Sequence, residues 1–126
     1  MASTLDHARY FNLATFRKNG NAVATPVWFA PGAESGTYFV FSAGAAGKVK
    51  RLRRGDEARV AACDVRGKLL GGWLPARADL LLDQDEIAEA LGALRGKYGW
   101  PMWMTDCLAR LSGRFDKRAY IRVTLL

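Results

Sequence analysis

The sequence predicts a mainly β fold, a small barrel with an appended helix, in a single domain covering residues 1–126. Three observations carry this prediction. Short alternating segments joined by tight turns dominate the first two-thirds of the chain. The one substantial helical periodicity comes late, after Leu82. The strand-helix-strand rhythm of a doubly wound parallel sheet is absent.

The first strand runs from Tyr10 to Phe16, and Lys18-Asn19-Gly20-Asn21 turns the chain, Asn-Gly being a strong short hairpin signal. The second strand runs from Ala22 to Phe29. Val23, Thr25, Val27 and Phe29 point one way along it, and Ala22, Ala24, Pro26 and Trp28 the other. Proline cannot donate to a ladder, so this strand is either an edge at Pro26 or bulged there, which leaves nearby backbone groups free to meet a ligand. Thr37 to Ser42 is a third strand, dense in aromatic residues. The small-residue loop Ala43-Gly44-Ala45-Ala46-Gly47 follows, then a short basic helix from Lys48 to Arg54.

Arg59 to Asp64 reads as a fourth strand. Lys68 to Leu82 reads as a long fifth strand, bent at Gly71-Gly72 and Pro75. Asp83 with Glu86 forms a capping-box pattern, and Ile87, Leu91, Leu94 and Tyr98 lie on one helical face behind it. Met102 to Leu111 is apolar without clear periodicity, and Arg118 to Leu126 alternates again and closes the sheet.

Half of the residues are apolar and a quarter are charged, as expected for an ordinary globular domain rather than a disordered chain. No apolar run approaches the ~20 residues of a membrane-spanning helix. The residues from Met1 to Arg9 lack the apolar core of an export signal, so a cytoplasmic protein is expected. Cys63 and Cys107 stand apart from each other and from any metal-ligand pattern, which predicts reduced, mostly buried thiols and no bound metal.

The net charge is +7, and five of the 19 basic residues, Lys48, Lys50, Arg51, Arg53 and Arg54, fall within seven positions. That concentration predicts either an anion site or a solvated basic helix whose Val49 and Leu52 pack inward. In the first case Ser42 donates a hydroxyl, the loop allows close backbone approach, and Lys48 and Arg51 supply charge one turn apart. A nucleoside-triphosphate loop is excluded, because its pattern needs Gly where Ser42 stands and Ser or Thr where Val49 stands. His7 is the only histidine and lies near a terminus, so a Ser-His-Asp or Cys-His mechanism has no base. Trp28, Phe29, Trp73, Trp100 and Trp103 either pack a core or wall a planar ring. Trp28 stands out because it shares its face with small residues beside Pro26.

Several stretches, read in order, carry a family resemblance: Thr25-Pro26-Val27-Trp28-Phe29, Tyr38 to Ser42, Gly47-Lys48-Val49-Lys50-Arg51-Leu52, Val60 to Gly67, and Lys97-Tyr98-Gly99-Trp100. Together they resemble the pyridoxamine-phosphate-oxidase-like split β-barrel superfamily, most closely its branch of small deazaflavin (F420)-dependent oxidoreductases. The resemblance covers most of the chain from Tyr10 to Trp100. It implies a homodimer with two cofactor sites at the subunit interface. In each site Ser42, Lys48 and Arg51 would hold the cofactor phosphate, and the backbone around Thr25, Pro26, Val27 and Trp28 would face the tricyclic ring. Trp73 and the segment near Trp100 would reach the site of the partner. The chain departs from the family in having Ser at position 42, where Thr is common, and small groups around Ala46, where polar or basic ones are common.

The resemblance therefore implies an oxidoreductase that moves a hydride between coenzyme F420 and a small organic substrate. Flavin mononucleotide (FMN) is the alternative cofactor. F420 carries an acidic tail besides its phosphate, and the surplus of Lys50, Arg53 and Arg54 favours that longer polyanion. The chemistry would belong to the cofactor, so no catalytic residue is assigned. A proton would come from solvent or from Tyr98. The competing readings are a cofactor carrier without turnover and a nucleic-acid-binding module, the latter disfavoured because no recognition helix or RNA-binding signature is present.

Overall fold

The computed structural model describes Leu5, residues 8–43, residues 47–99 and residues 118–126. The expectations for His7, the loop residues Gly44-Ala45-Ala46, Trp100, Pro101, Trp103, Cys107 and the segment from Met102 to Leu111 lie outside the described residues. The elements are β1 (Tyr10–Phe16), β2 (Ala22–Pro31), β3 (Thr37–Ala43), α1 (Gly47–Leu52), β4 (Glu57–Cys63), β5 (Leu74–Leu80), α2 (Gln84–Tyr98) and β6 (Arg118–Leu125). All pairings are antiparallel, and the six strands close into one barrel in the order β1-β2-β3-β6-β5-β4. Among the described residues, no helix is long and apolar enough to cross a membrane.

The β1–β2 hairpin turns as its sequence demands. Gly20 adopts φ +87°, a left-handed conformation that a side chain would resist. Its N–H bonds to the Arg17 carbonyl, and the Arg17 N–H bonds to the Asn21 carbonyl, each at 2.9 Å. The long fifth strand expected from Lys68 to Leu82 is not formed as one piece. The chain turns after β4 on Asp64, whose carboxylate accepts the N–H groups of Arg66 and Lys68 at 2.9 Å. Leu69 then makes a single bridge to Cys63 before the ladder breaks, and pairing resumes only at Leu74. Gly71-Gly72 interrupts the strand rather than bending it, since two residues without side chains give no packing to hold an extended run in register. Helix α1 also ends two residues early, at Leu52, leaving Arg53 and Arg54 in the turn that follows.

Alternation along the strands makes two cores. Inside the barrel Phe11 stacks on Phe29 at 4.2 Å between ring centroids, with Tyr38 edge-on to both, and Leu13, Val40, Val60, Ile121 and Val123 fill the remaining space. Helix α1 buries Val49 and Leu52, and Leu52 joins this inner cluster. The outer core lies between the barrel wall and α2, where Ala30, Phe39, Leu81 and Tyr120 meet Ala90, Leu94 and Tyr98. The expected cap of α2 forms by half. Asp83 accepts the Glu86 N–H at 3.1 Å, but the Glu86 carboxylate pairs with Arg122 on β6 at 3.1 Å instead of folding back on its own helix.

Tyr98 ties the two cores together. Its hydroxyl accepts the Phe29 N–H at 2.8 Å and lies 2.7 Å from the carbonyls of both Phe29 and Arg9. Lys97 beside it donates to the Ala8 carbonyl at 2.9 Å, with its ammonium over the Phe29 ring. Burial pushes the Tyr98 hydroxyl up to about 12 from an ordinary 10.0, against the opposing pull of its bond to Phe29. The folded protein therefore holds a proton between pH 10 and 12 that the unfolded chain has released, so Tyr98 makes stability fall as pH rises through that window. Tyr98→Phe strands three backbone groups and is expected to cost about 1–3 kcal/mol in urea unfolding at neutral pH. The same variant is expected to show a shallower loss of stability than the wild type above pH 10.

Candidate functional site

Strand β2 is a ladder partner on one side and an open edge on the other. Its register with β1 runs without a bulge from Phe16↔Ala22 to Tyr10↔Trp28. The bond from the Arg17 N–H to the Asn21 carbonyl sets the alternation, so the backbone groups of Val23, Thr25 and Val27 face β1. Those of Ala22, Ala24, Pro26 and Trp28 face away from it. Pro26 thus costs no ladder bond, because its missing N–H falls on the open side. Of the two alternatives in the sequence, the structure chooses the edge.

That edge opens because β2 and β3 part company. They pair from Pro31↔Tyr38 to Phe29↔Val40 and no further, after which β3 follows β6 as far as Ala43↔Arg118. A cleft of about 270 Å³ opens at the fork, lined by Pro26, Val27, Trp28, Phe41 and Lys48. Three consecutive residues of one strand can all line a cleft only when it runs along the strand's edge, where the backbone itself is accessible. The Trp28 indole is half-buried, stacked on Tyr98 at 4.7 Å and set edge-on to Phe41 at 6.0 Å. One face of the indole therefore belongs to the outer core. The other walls of the cleft are apolar or cationic, and among the described residues its lining carries no carboxylate.

Lys48, half-buried on α1, brings charge to this cleft. Its ammonium lies 3.5 Å from the hydroxyl of Ser42, a buried residue at the end of β3. Desolvation, and secondarily the like charge of Arg51, push Lys48 below the ordinary lysine range. An anion entering the cleft would relieve both effects.

Arg51 sits differently. Its Nε donates to the hydroxyl of Thr15, a fully buried residue on β1, and its guanidinium lies against Gly47, where a Cβ would meet Nη1 at 2.8 Å. A side chain at position 47 would therefore oblige the guanidinium tip to shift. The structure places Arg51 in a neighbouring cleft of about 210 Å³ together with Thr15, Arg17, Lys18, Arg54 and Glu57. Burial, then Arg17 and Arg54, lower its pKa.

Of the residues expected from the sequence, Ser42, Lys48, Pro26, Val27 and Trp28 come together. Thr25 does not line the cleft, whose lining on β2 begins at Pro26. Its hydroxyl is buried without a hydrogen-bond partner among the described residues. Arg51 lies close enough to Lys48 to depress it, yet it lines the second cleft. Tyr98 is committed to the backbone and, with a pKa of about 12, makes a poor acid. Trp73 is partly exposed, away from the cleft lining.

Sequence reasoning missed Phe41 and Arg17. Phe41 was legible only as one aromatic of an aromatic-rich strand, since nothing local shows that the sheet forks beside it. Arg17 stands beside the β1–β2 turn, far in sequence from the basic cluster at Lys48 to Arg54, so nothing local links the two.

The fold agrees with what is known of other chains. The family model described as pyridoxamine 5'-phosphate oxidase matches residues 1–125. The chain belongs to that family. No curated protein matches it in sequence. A conserved hypothetical protein from Mycobacterium tuberculosis superposes with a TM-score of 0.70 at 19% identity, over 98% of this chain and 77% of its own. The haem storage protein HutZ from Vibrio cholerae gives 0.70 at 13% identity, over 95% and 83%. An FAD-binding protein from Mesorhizobium loti gives 0.62 at 18% identity, over 98% and 83%. At these identities the likeness establishes the split-barrel fold that the family resemblance implied.

The electrostatics predict a measurable titration. By NMR of its Cε, Lys48 is expected to deprotonate below ordinary lysines. Its pKa is expected to rise in Arg51→Ala, which removes a like charge, and to rise again when inorganic phosphate occupies the cleft.

Proposed function

We propose that this protein is an oxidoreductase that binds a phosphate-bearing flavin or deazaflavin at the fork between β2 and β3, and that coenzyme F420 is its cofactor. The observation that carries the reading is the cleft itself, where apolar walls and a free strand edge meet the desolvated Lys48 ammonium, with no carboxylate among the described residues of the lining. A planar ring needs apolar contact on its faces and backbone groups at its polar rim. A phosphate needs charge and hydroxyl donors at one end.

In this reading Lys48 and Ser42 hold the phosphate, while the Pro26 carbonyl and the Trp28 N–H face the rim of the ring. The Thr25 hydroxyl, without a partner among the described residues, lies one residue from the cleft lining. Family membership and the FAD-binding structural neighbour support the cofactor class. When bound, the ring supplies the hydride chemistry, and the protein's part is to orient it and to shield one of its faces.

The homodimer belongs to the same reading. Val65, Leu69, Leu70 and Trp73 are exposed by 63, 45, 62 and 40%, a run of large apolar side chains on the segment joining β4 to β5. Such a patch calls for a covering surface, and the site of a second copy is the natural place for Trp73. Analytical ultracentrifugation is expected to show a dimer that Leu70→Glu converts to monomer. A monomeric wild type would remove the dimer from the proposal.

Binding is tested by titrating the protein with F420 and with FMN while following tryptophan fluorescence, to which Trp28 contributes. Saturable quenching is expected with at least one. Lys48→Ala is expected to weaken it by about 10- to 100-fold, the value of one charge-assisted contact of ~1.5–3 kcal/mol. Absence of binding by both ligands would overturn the assignment.

A further inference from the structure

We propose that Asn12 is a positioning residue for the ring cleft: its amide clamps the turn at Gly67 onto Pro26 and so holds the open edge of β2 on which a planar ring would lie. The inference rests on the cofactor reading for the ligand, but the clamp itself can be tested without one.

Asn12 is an unusual residue for its place. It lies inside β1, 5% exposed, on the face of the strand opposite to the inner-core residues Phe11 and Leu13. An amide is a poor strand former, and its burial is costly unless it is hydrogen-bonded. Its Nδ2 donates to the Gly67 carbonyl at 2.8 Å, across 55 residues of chain. Its ladder partners are Ala61 on β4, which is fully buried, and Pro26 on β2. The register makes Asn12 and Pro26 a pair without mutual backbone bonds, the kind in which facing side chains stand closest.

The turn that Asn12 grips is stiff in itself. The Asp64 N–H donates to the Lys68 carbonyl and the Gly67 N–H to the Asp64 carbonyl, each at 3.0 Å. The Asp64 carboxylate takes the N–H groups of Arg66 and Lys68 as well. Gly67 closes the turn at φ +89°, where a side chain would be strained. The Leu70 N–H bonds back to the Ala62 carbonyl at 2.8 Å, which holds the base of the ribbon on β4. Asn12 holds its tip. A Cβ at Gly67 would lie 3.4 Å from Asn12 Oδ1 and 3.8 Å from Pro26 Cδ, so the tip packs on both.

Pro26 is where that support matters. It lines the ring cleft, on a stretch of β2 that has left β3 behind, since the two pair only from Phe29 to Pro31. Backbone on such an edge holds one direction only if something packs against it. The turn packs on it from the outer face of the barrel. The far end of the cleft is built without it, because Lys48 and Ser42 belong to α1 and β3. Loosening the clamp should therefore weaken contact with a ring and leave contact with a phosphate as it was.

The test compares the wild type with Asn12→Ala and with Gly67→Ala, which disturbs the turn from its other side and leaves the amide in place. Melting temperatures establish that each variant is folded, and Gly67→Ala decides the matter if Asn12→Ala is not. Two kinds of probe separate the ends of the cleft: FMN and F420 followed by tryptophan fluorescence, and inorganic phosphate followed at the Lys48 Cε by NMR. Both variants are expected to bind the ring ligand about tenfold more weakly, with phosphate affinity within twofold of wild type. The Pro26 Cδ–Hδ resonances are expected to shift and broaden in both variants without any ligand.

Ring affinity within twofold of wild type, or equal losses for ring and phosphate, would overturn the positioning role and leave the cofactor reading in place. If neither FMN nor F420 binds the wild type but the Pro26 resonances respond to Asn12→Ala, the cofactor reading fails and the clamp stands. If no ring ligand binds and Pro26 is unmoved, both fall.

Discussion

A β-strand has two edges, and β2 uses them for different purposes. Toward β1 it is satisfied along its length from Ala22 to Trp28. Toward β3 it is paired only from Phe29 to Pro31. The barrel still closes, because β3 is carried onward by β6 and β4 returns to β1. The result is a wall with a slit in it. Buried backbone groups left without partners are costly, so a slit of this kind persists only where water or a ligand reaches the edge, and here Pro26 removes one of the donors at risk.

Something must stop the slit from spreading, and Tyr98 does so. The next hydrogen-bonded pair beyond Phe11 and Val27 in the β1–β2 ladder would be Arg9 with Phe29. The tyrosine hydroxyl sits between them, taking the Phe29 N–H and reaching both carbonyls. Its ring at the same time backs the Trp28 indole. One side chain from α2 therefore ends the ladder, anchors the helix and stiffens the wall of the cleft. Lys97 reinforces the arrangement through Ala8 and Phe29.

Helix α1 is the second device. It is only six residues long, too short to be stable alone, and it is held by Val49 and Leu52 beneath it and by the bond from Arg51 to Thr15. Two of its three cations diverge, Lys48 toward the fork and Arg51 toward the hairpin. Gly47 leaves room for this, because the guanidinium folds back over it and would have to shift if a side chain stood there. The charge cluster legible in the sequence as one basic patch is thus two clefts separated by a turn of helix.

The alternation of apolar residues and the turn at Asn19-Gly20 determined strands β1 to β4 and β6 closely, because period-two burial and a left-handed glycine are local physics. The i, i+4, i+7 pattern behind Asp83 determined α2 for the same reason, and Pro26 announced an interrupted edge by lacking a donor. What tertiary structure alone decided is whatever depends on a distant partner. Glu86 leaves its own cap for Arg122, Gly71-Gly72 breaks the fifth strand instead of bending it, and Thr15 draws Arg51 away from Lys48. The fork itself is of this kind. Which strand β3 follows after Val40 depends on β6, some eighty residues later in the chain, and no window around Phe41 contains that information.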